Sequence, residues 1–201
     1  DGVVTDDDRV RTLLDSIRAL TGVDAKASVD SENHVPTASG LASSASGTAA
    51  LASAAWCAAG GSLDNALAEP AFMDCVRRGS GSAPRSLLGG IVELDRESGG
   101  VAQLVDHETW PLAMVVVQIG AGRKATSSRV GMKLTAETSP YYPAWVEAHP
   151  GDLAAARAAI ADRDLARLGS VMERSTMRMH ACMLAADPPL RYLQGATLDA
   201  I

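Results

Sequence analysis

Apolar residues Val10, Leu13, Leu14, Ile17 and Leu20 fall at three- and four-residue intervals behind the acids around Asp8, and the run stops at Thr21-Gly22. That period marks one face of an α-helix, opened by an acidic cap and closed by glycine. Residues 25–30 alternate small apolar with polar side chains and predict a short strand. It leads into Asn33-His34-Val35-Pro36, where proline holds the backbone extended or turning. The Ala-rich segment Thr48 to Ala59 predicts a helix. A further helix spans Leu67 to Arg78, with Pro70 in its first turn and Gly79 at its end. Leu87 to Leu94 predicts an element of a strand pair, Gly99-Gly100 a turn, and the apolar run Leu112 to Ile119 a buried strand. Helical patterns follow at Val130 to Glu137, Tyr142 to Ala148, Leu153 to Ile160 and Leu165 to Ala186. A shift in composition near Val105 to Trp110 divides the chain into 1–105 and 106–201.

Two stretches interrupt this pattern with small and hydroxylic residues. Pro36-Thr37-Ala38-Ser39-Gly40-Leu41-Ala42-Ser43-Ser44-Ala45-Ser46-Gly47 is a loop that runs straight into the Ala-rich helix. A helix N-terminus offers backbone N–H groups without acceptors and the positive end of the helix dipole, and small residues let an anion reach them. The competing reading is a flexible Ser/Gly linker, although linkers do not usually join a strand to an amphipathic helix. No Gly-Lys-Ser/Thr follows at Walker A spacing and no G-x-G-x-x-G is present, so those two nucleotide motifs drop out. The second stretch, Ser80-Gly81-Ser82-Ala83-Pro84-Arg85-Ser86, repeats the chemistry with one cation added. After Gly120-Ala121-Gly122 the chain turns basic and hydroxylic from Arg123 to Arg129.

Charge and composition narrow the function. A formal net charge of −6, with Lys and Arg scattered, disfavours a binder of nucleic-acid backbone, so any phosphate bound is small and local. Aromatic residues make up only 3% of the chain, which predicts an aliphatic core. Cys57, Cys75 and Cys182 are odd in number and form no C-x-x-C pair, so neither a disulfide framework nor a zinc site is expected. His34, His107, His149 and His180 have no metal-ligand spacing and read as structural or solvent-facing. No run reaches the ~20 apolar residues of a membrane span. The first residues lack a signal peptide's basic start and apolar centre, so a cytoplasmic protein is expected, with the chain beginning in mid-protein.

Taken together, Asn33-x-Val35-Pro36-Thr37-x-x-Gly40-Leu41-Ala42-Ser43-Ser44-Ala45-x-Gly47 and Arg77-Arg78-Gly79-Ser80-Gly81-Ser82-Ala83-x-Arg85-Ser86 resemble the two signature stretches of the mevalonate diphosphate decarboxylases, a family within the GHMP kinase superfamily. The superfamily at large shares only the first; the second distinguishes the decarboxylases. The resemblance continues through Trp110-Pro111, Thr126-Ser127-Ser128-Arg129-x-Gly131-Met132, Glu137-Thr138-Ser139-Pro140, Met179-His180-Ala181 and Pro188-Pro189-x-x-Tyr192-Leu193, covering nearly the whole chain in the family's order.

The resemblance implies an α+β, GHMP kinase-like fold, a ribosomal protein S5-like part with the phosphate loop followed by a ferredoxin-like part. It implies a homodimer that binds ATP, Mg²⁺ and mevalonate 5-diphosphate, phosphorylates the 3-hydroxyl, and releases phosphate and carbon dioxide to leave isopentenyl diphosphate. ATP phosphates would lie on Gly40, Leu41, Ala42, Ser43, Ser44, Ala45, Ser46 and Gly47. Arg85 would grip the substrate carboxylate, a task that suits a planar, permanently charged fork. Ser80 and Ser82 would hold the substrate and its transferred phosphate, and Ser127, Ser128 and Arg129 the diphosphate tail; no protein metal ligand is implied. The family's Y-W-G-K stretch and its D-A-G-P-N segment, whose Asp is the catalytic base, are not in this sequence, and the expectation is a fragment of a longer protein. The rivals are a GHMP kinase or decarboxylase of mevalonate or phosphomevalonate, and an inactive binding homologue.

Overall fold

The structure, a computed structural model, describes residues 7–34, 41–95, 97–117, 119 and 126–200. The chain divides into two compact units, Asp1–Pro111 and Leu112–Ile201.

The first unit begins with α1 (Asp8–Thr21). The Asp7 carboxylate accepts from Arg9 N at 2.8 Å, and Gly22 closes the helix in the left-handed region at φ 71°, donating to Arg18 O. Leu13 and Ile17 are its buried positions, as the period predicted. There follow α2 (Ser43–Ala58), the short α3 (Leu63–Ala66), α4 (Pro70–Gly79), a 3-10 turn (Ala83–Leu87), and an antiparallel hairpin of β1 (Ile91–Leu94) and β2 (Val101–Val105). The hairpin pairs Leu94 with Val101 and Ile91 with Val105. Its turn is held by the Asp95 carboxylate, which accepts from Ser98 N at 2.7 Å and Glu97 N at 3.1 Å.

Ala45, Ala49 and Ala52 line one stripe of α2 and are buried against Leu13 and Ile17 of α1, Phe72, Met73 and Val76 of α4, and Ala83. Methyl groups on that stripe let α1, α4 and the 3-10 turn all pack on α2. The core is aliphatic except for Phe72, fully buried, whose ring lies 5.1 Å from that of Trp56.

In the second unit, α5 (Ser128–Thr138), α6 (Tyr142–Asp162) and α7 (Leu165–Leu184) are followed by α8 (Gly195–Asp199). α6 and α7 are joined by Arg163, left-handed at φ 53°, and Asp164, whose carboxylate accepts from Arg167 N at 2.9 Å. Near this joint Ala159 and Ile160 are buried, as are Leu168 and Val171. Farther along, buried Asp152 takes hydrogen bonds from Arg174 at 2.9 and 3.1 Å and from Arg178 at 2.7 Å. Arg174 first, and then Arg178, hold the Asp152 carboxyl below the usual carboxylate range.

Four expectations are corrected. Residues 25–30 form no strand and are exposed, and Leu112 to Val117 are exposed instead of buried, with Met114 at 80% and Val115 at 88%. A strand is completed by its ladder partners, and among the described residues neither segment has one. α2 begins at Ser43 and not at Thr48, so half of the small-residue loop is its first turn. The patterns at 142–148 and 153–160 are one helix running through Pro150. A proline inside a helix costs about 3 kcal/mol relative to alanine, and packing of α6 on α7 with the Asp152 ion pairs offsets it.

Candidate functional site

The chain turns into α2 at Ala42, a non-glycine residue in the left-handed region with φ 54° and ψ 34°. This costs on the order of 1 kcal/mol for a residue with a Cβ. A left-handed residue followed by right-handed helix curls successive N–H groups onto one concave side, an arrangement that holds anions. Ala45 N donates to Ala42 O at 2.8 Å and Ser46 N at 3.4 Å, while the amides of Ser43 and Ser44 have no carbonyl ahead of them within the helix. No acidic residue occupies that turn, and among the described residues no side chain caps it. Ala45 anchors the turn in the core, Ser43 is half-buried, and Ala42, Ser44, Ser46 and Gly47 are exposed. Leu41 is half-buried; Gly40 lies outside the described residues.

The second loop leaves α4 at Gly79. Ser80 N donates to Val76 O at 3.1 Å, Ala83 N to Ser80 O at 2.9 Å and Arg85 N to Ser82 O at 3.2 Å, so the chain is tied back on both sides of Ser80, itself extended at φ −152° and ψ 125°, before it coils into the 3-10 turn. Ala83 and Pro84 are buried, Ser80 and Ser82 half-buried, and Arg85 exposed. Because this turn packs on α2, the structure brings the elements bearing Ser80, Ser82 and Arg85 against the helix that bears Ser43 and Ser44.

Three arginines border the loop and they differ. Arg77 and Arg78 both reach Asp74, at 2.7 and 2.6 Å, and the hydrogen bond from Arg77 in particular holds the Asp74 carboxyl below the usual range. Arg85 has no hydrogen-bond or ion-pair partner among the described residues, leaving its fork open to a carboxylate or phosphate.

In the second unit, Ser127 is the N-cap of α5, its hydroxyl accepting from Val130 N at 3.4 Å. Ser128 and Arg129 open the helix, both exposed, at the end that favours an anion. The cap of α5 is supported from far along the chain. Tyr192 Oη donates to Thr126 O at 3.1 Å, across 66 residues. Gly131, buried in the first turn of α5, makes the room, since a Cβ there would run into the Tyr192 hydroxyl. Sequence reading gave neither residue a role; the signal is a tyrosine and a glycine whose relation exists only in three dimensions.

Comparison with known proteins accounts for both units. Residues 2–103 match the diphosphomevalonate decarboxylase-like N-terminal domain, and residues 113–201 the mevalonate 5-diphosphate decarboxylase C-terminal domain. The diphosphomevalonate decarboxylase of Homo sapiens is 35% identical over 183 residues, covering 87% of this chain and 44% of its own length. The crystal structure of mevalonate diphosphate decarboxylase from Staphylococcus aureus is 40% identical, with a TM-score of 0.85, covering 98% of this chain and 60% of that one. The protein solved as MDDEF in complex with MVAPP, AMPPCP and magnesium is 35% identical, with a TM-score of 0.81, covering 99% of this chain and 62% of that one. The chain spans less than half the length of the curated human relative it matches.

Proposed function

Since the chain belongs to the diphosphomevalonate decarboxylase family and carries part of its GHMP kinase fold, we propose that it serves the ATP-dependent decarboxylation of mevalonate 5-diphosphate to isopentenyl diphosphate. The observation that carries this reading is the seating of the Arg85 turn on α2, with an anion-holding bend at the start of that same helix.

The bend from Leu41 to Gly47 would take the nucleotide's phosphates at its open end, on the amides of Ser43 and Ser44 with their hydroxyls beside them. These donors suit Mg²⁺ carried on the phosphates, a hard cation that keeps several waters and needs few protein ligands. When bound, it would neutralise charge developing on the transferred group. Ser80 and Ser82 would hold the substrate through hydrogen bonds. Arg85 would grip the carboxylate with both prongs and keep its plane fixed. Once the 3-hydroxyl is phosphorylated, the bond from C2 to the leaving carboxylate breaks to give carbon dioxide. Its electron pair becomes the double bond to C3 as phosphate departs. A fixed carboxylate keeps the breaking bond aligned with the leaving oxygen, a matter of orientation more than of charge. Ser127, Ser128 and Arg129 would take the diphosphate tail. A cytoplasmic homodimer belongs to the same reading.

The test is Arg85→Lys in the protein that carries this chain, with mevalonate 5-diphosphate and ATP. Lysine keeps the charge and loses the fork, so kcat is expected to fall by about 10²-fold, with the melting temperature nearly unchanged. Wild-type activity in that variant would remove Arg85 from the mechanism. Parallel assays with mevalonate and its 5-phosphate separate this activity from that of a kinase of the same superfamily.

A further inference from the structure

α4 ends on a glycine, and nothing in its backbone requires one. Gly79 is helical and its φ is outside the left-handed range, so alanine there would favour the helix by about 1 kcal/mol. What glycine provides is space. A Cβ at position 79 would stand 2.6 Å from Thr48 Cγ2, well inside the 3.5–4.0 Å at which carbons rest. Thr48 Oγ1 and Leu13 Cδ1 would be at 3.7 and 3.8 Å, in ordinary contact.

Position 79 is where the supports of the two candidate loops meet. Thr48 lies one helical turn beyond Ser44 on α2, and Ser80 follows Gly79 directly. From Ser80 the chain has little freedom to absorb a shift. Its amide is tied back to Val76 O, Ala83 N is tied to Ser80 O, and Ala83 and Pro84 are buried. A displacement at residue 79 would therefore be passed to Ser80, Ser82 and Arg85. We propose that Gly79 is a positioning residue, its missing side chain letting Ser80, Ser82 and Arg85 seat on α2 at the height of the phosphate-binding bend. The inference rests on the function proposed above.

Thr48→Ser removes only the methyl in the way and so supplies the rescue. In the protein that carries this chain, Gly79→Ala is expected to lower kcat/KM for mevalonate 5-diphosphate by about tenfold or more, with the melting temperature held. Adding Thr48→Ser is expected to restore kcat/KM to within about threefold, a coupling that independent sites do not show. Full activity in Gly79→Ala, or a loss that persists in the double variant, overturns the inference. If Gly79→Ala does not fold, the double variant decides alone against Thr48→Ser: equal kcat/KM supports the inference, and a large deficit overturns it. A second readout is independent of turnover. In this chain, hydrogen exchange at the bonded amides of Ala45, Ser46, Ser80 and Ala83 is expected to quicken in Gly79→Ala and to return in the double variant. Unchanged exchange in Gly79→Ala also overturns the inference. A wild-type protein without activity on mevalonate 5-diphosphate would end the proposed function and leave the exchange measurement to judge the contact.

Discussion

The two units hold their candidate loops by different means. In the first, the bend before α2 and the coil after α4 are backed by a closed apolar cluster, and the chain meets its neighbours through methyl groups and one glycine. In the second, the start of α5 is secured by a tyrosine hydroxyl on a carbonyl, and apolar packing near the α6–α7 joint is supplemented by a carboxylate between two guanidinium groups. Large apolar side chains such as Val130, Met132, Leu165 and Met172 stay exposed there. Packing resists displacement in every direction, whereas a hydrogen bond fixes one atom and depends on solvent conditions. The first unit should therefore respond most to changes in side-chain volume, and the second to changes in single polar groups and in pH.

The largest effect expected is that of Phe72→Ala, which empties the centre of the first core and should cost about 3–5 kcal/mol in denaturant unfolding. A loss smaller than that of any polar deletion in the second unit would reverse the comparison. Next comes Asp152→Ala, which leaves Arg174 and Arg178 without their shared acceptor and should lower the melting temperature of the helical unit by about 5 °C. The same pair predicts a direction with pH. The Asp152 carboxyl is held below its ordinary value of 3.8, so its contribution is complete above that value and is lost as pH falls through the lower folded one. Circular dichroism between pH 5 and about pH 2 should show helix loss in the native protein and a flatter response in Asp152→Ala. The smallest effect belongs to Tyr192→Phe, worth about 1 kcal/mol in stability. Its mark should be a raised KM for the diphosphate substrate with the KM for ATP unchanged, and equal shifts in both would make Tyr192 a general support.

What could be read in the sequence follows the same division between local and distant causes. α1 was legible because Asp7 and Gly22, its cap and stop, sit beside it in the chain, and the hairpin in part, its turn marked by Gly99-Gly100 while Leu87 of the expected strand element lies in the 3-10 turn. Residues 25–30 and 112–119 misled because an alternating or apolar run becomes a strand only beside a partner. The start of α2 was hidden since a left-handed alanine has no local signature, and serine-rich sequence reads as loop. Among candidate site residues, Ser80, Ser82 and Arg85 stood out as a dense motif. Gly79 was visible only as a helix end and Gly131 only as part of a motif, because what they make room for, Thr48 and Tyr192, lies 31 and 61 residues away.

The ribbon from Leu112 to Val117 has a practical consequence. Six residues without charge or proline, bare on both sides, form a ready template for another copy of the same ribbon. Concentrating this polypeptide by itself is expected to bring such ribbons together, which light scattering against concentration would show. Its shelf life would then be governed by colloidal behaviour, and a lysine at the outermost valine, Val115, would be the simplest way to keep it in solution.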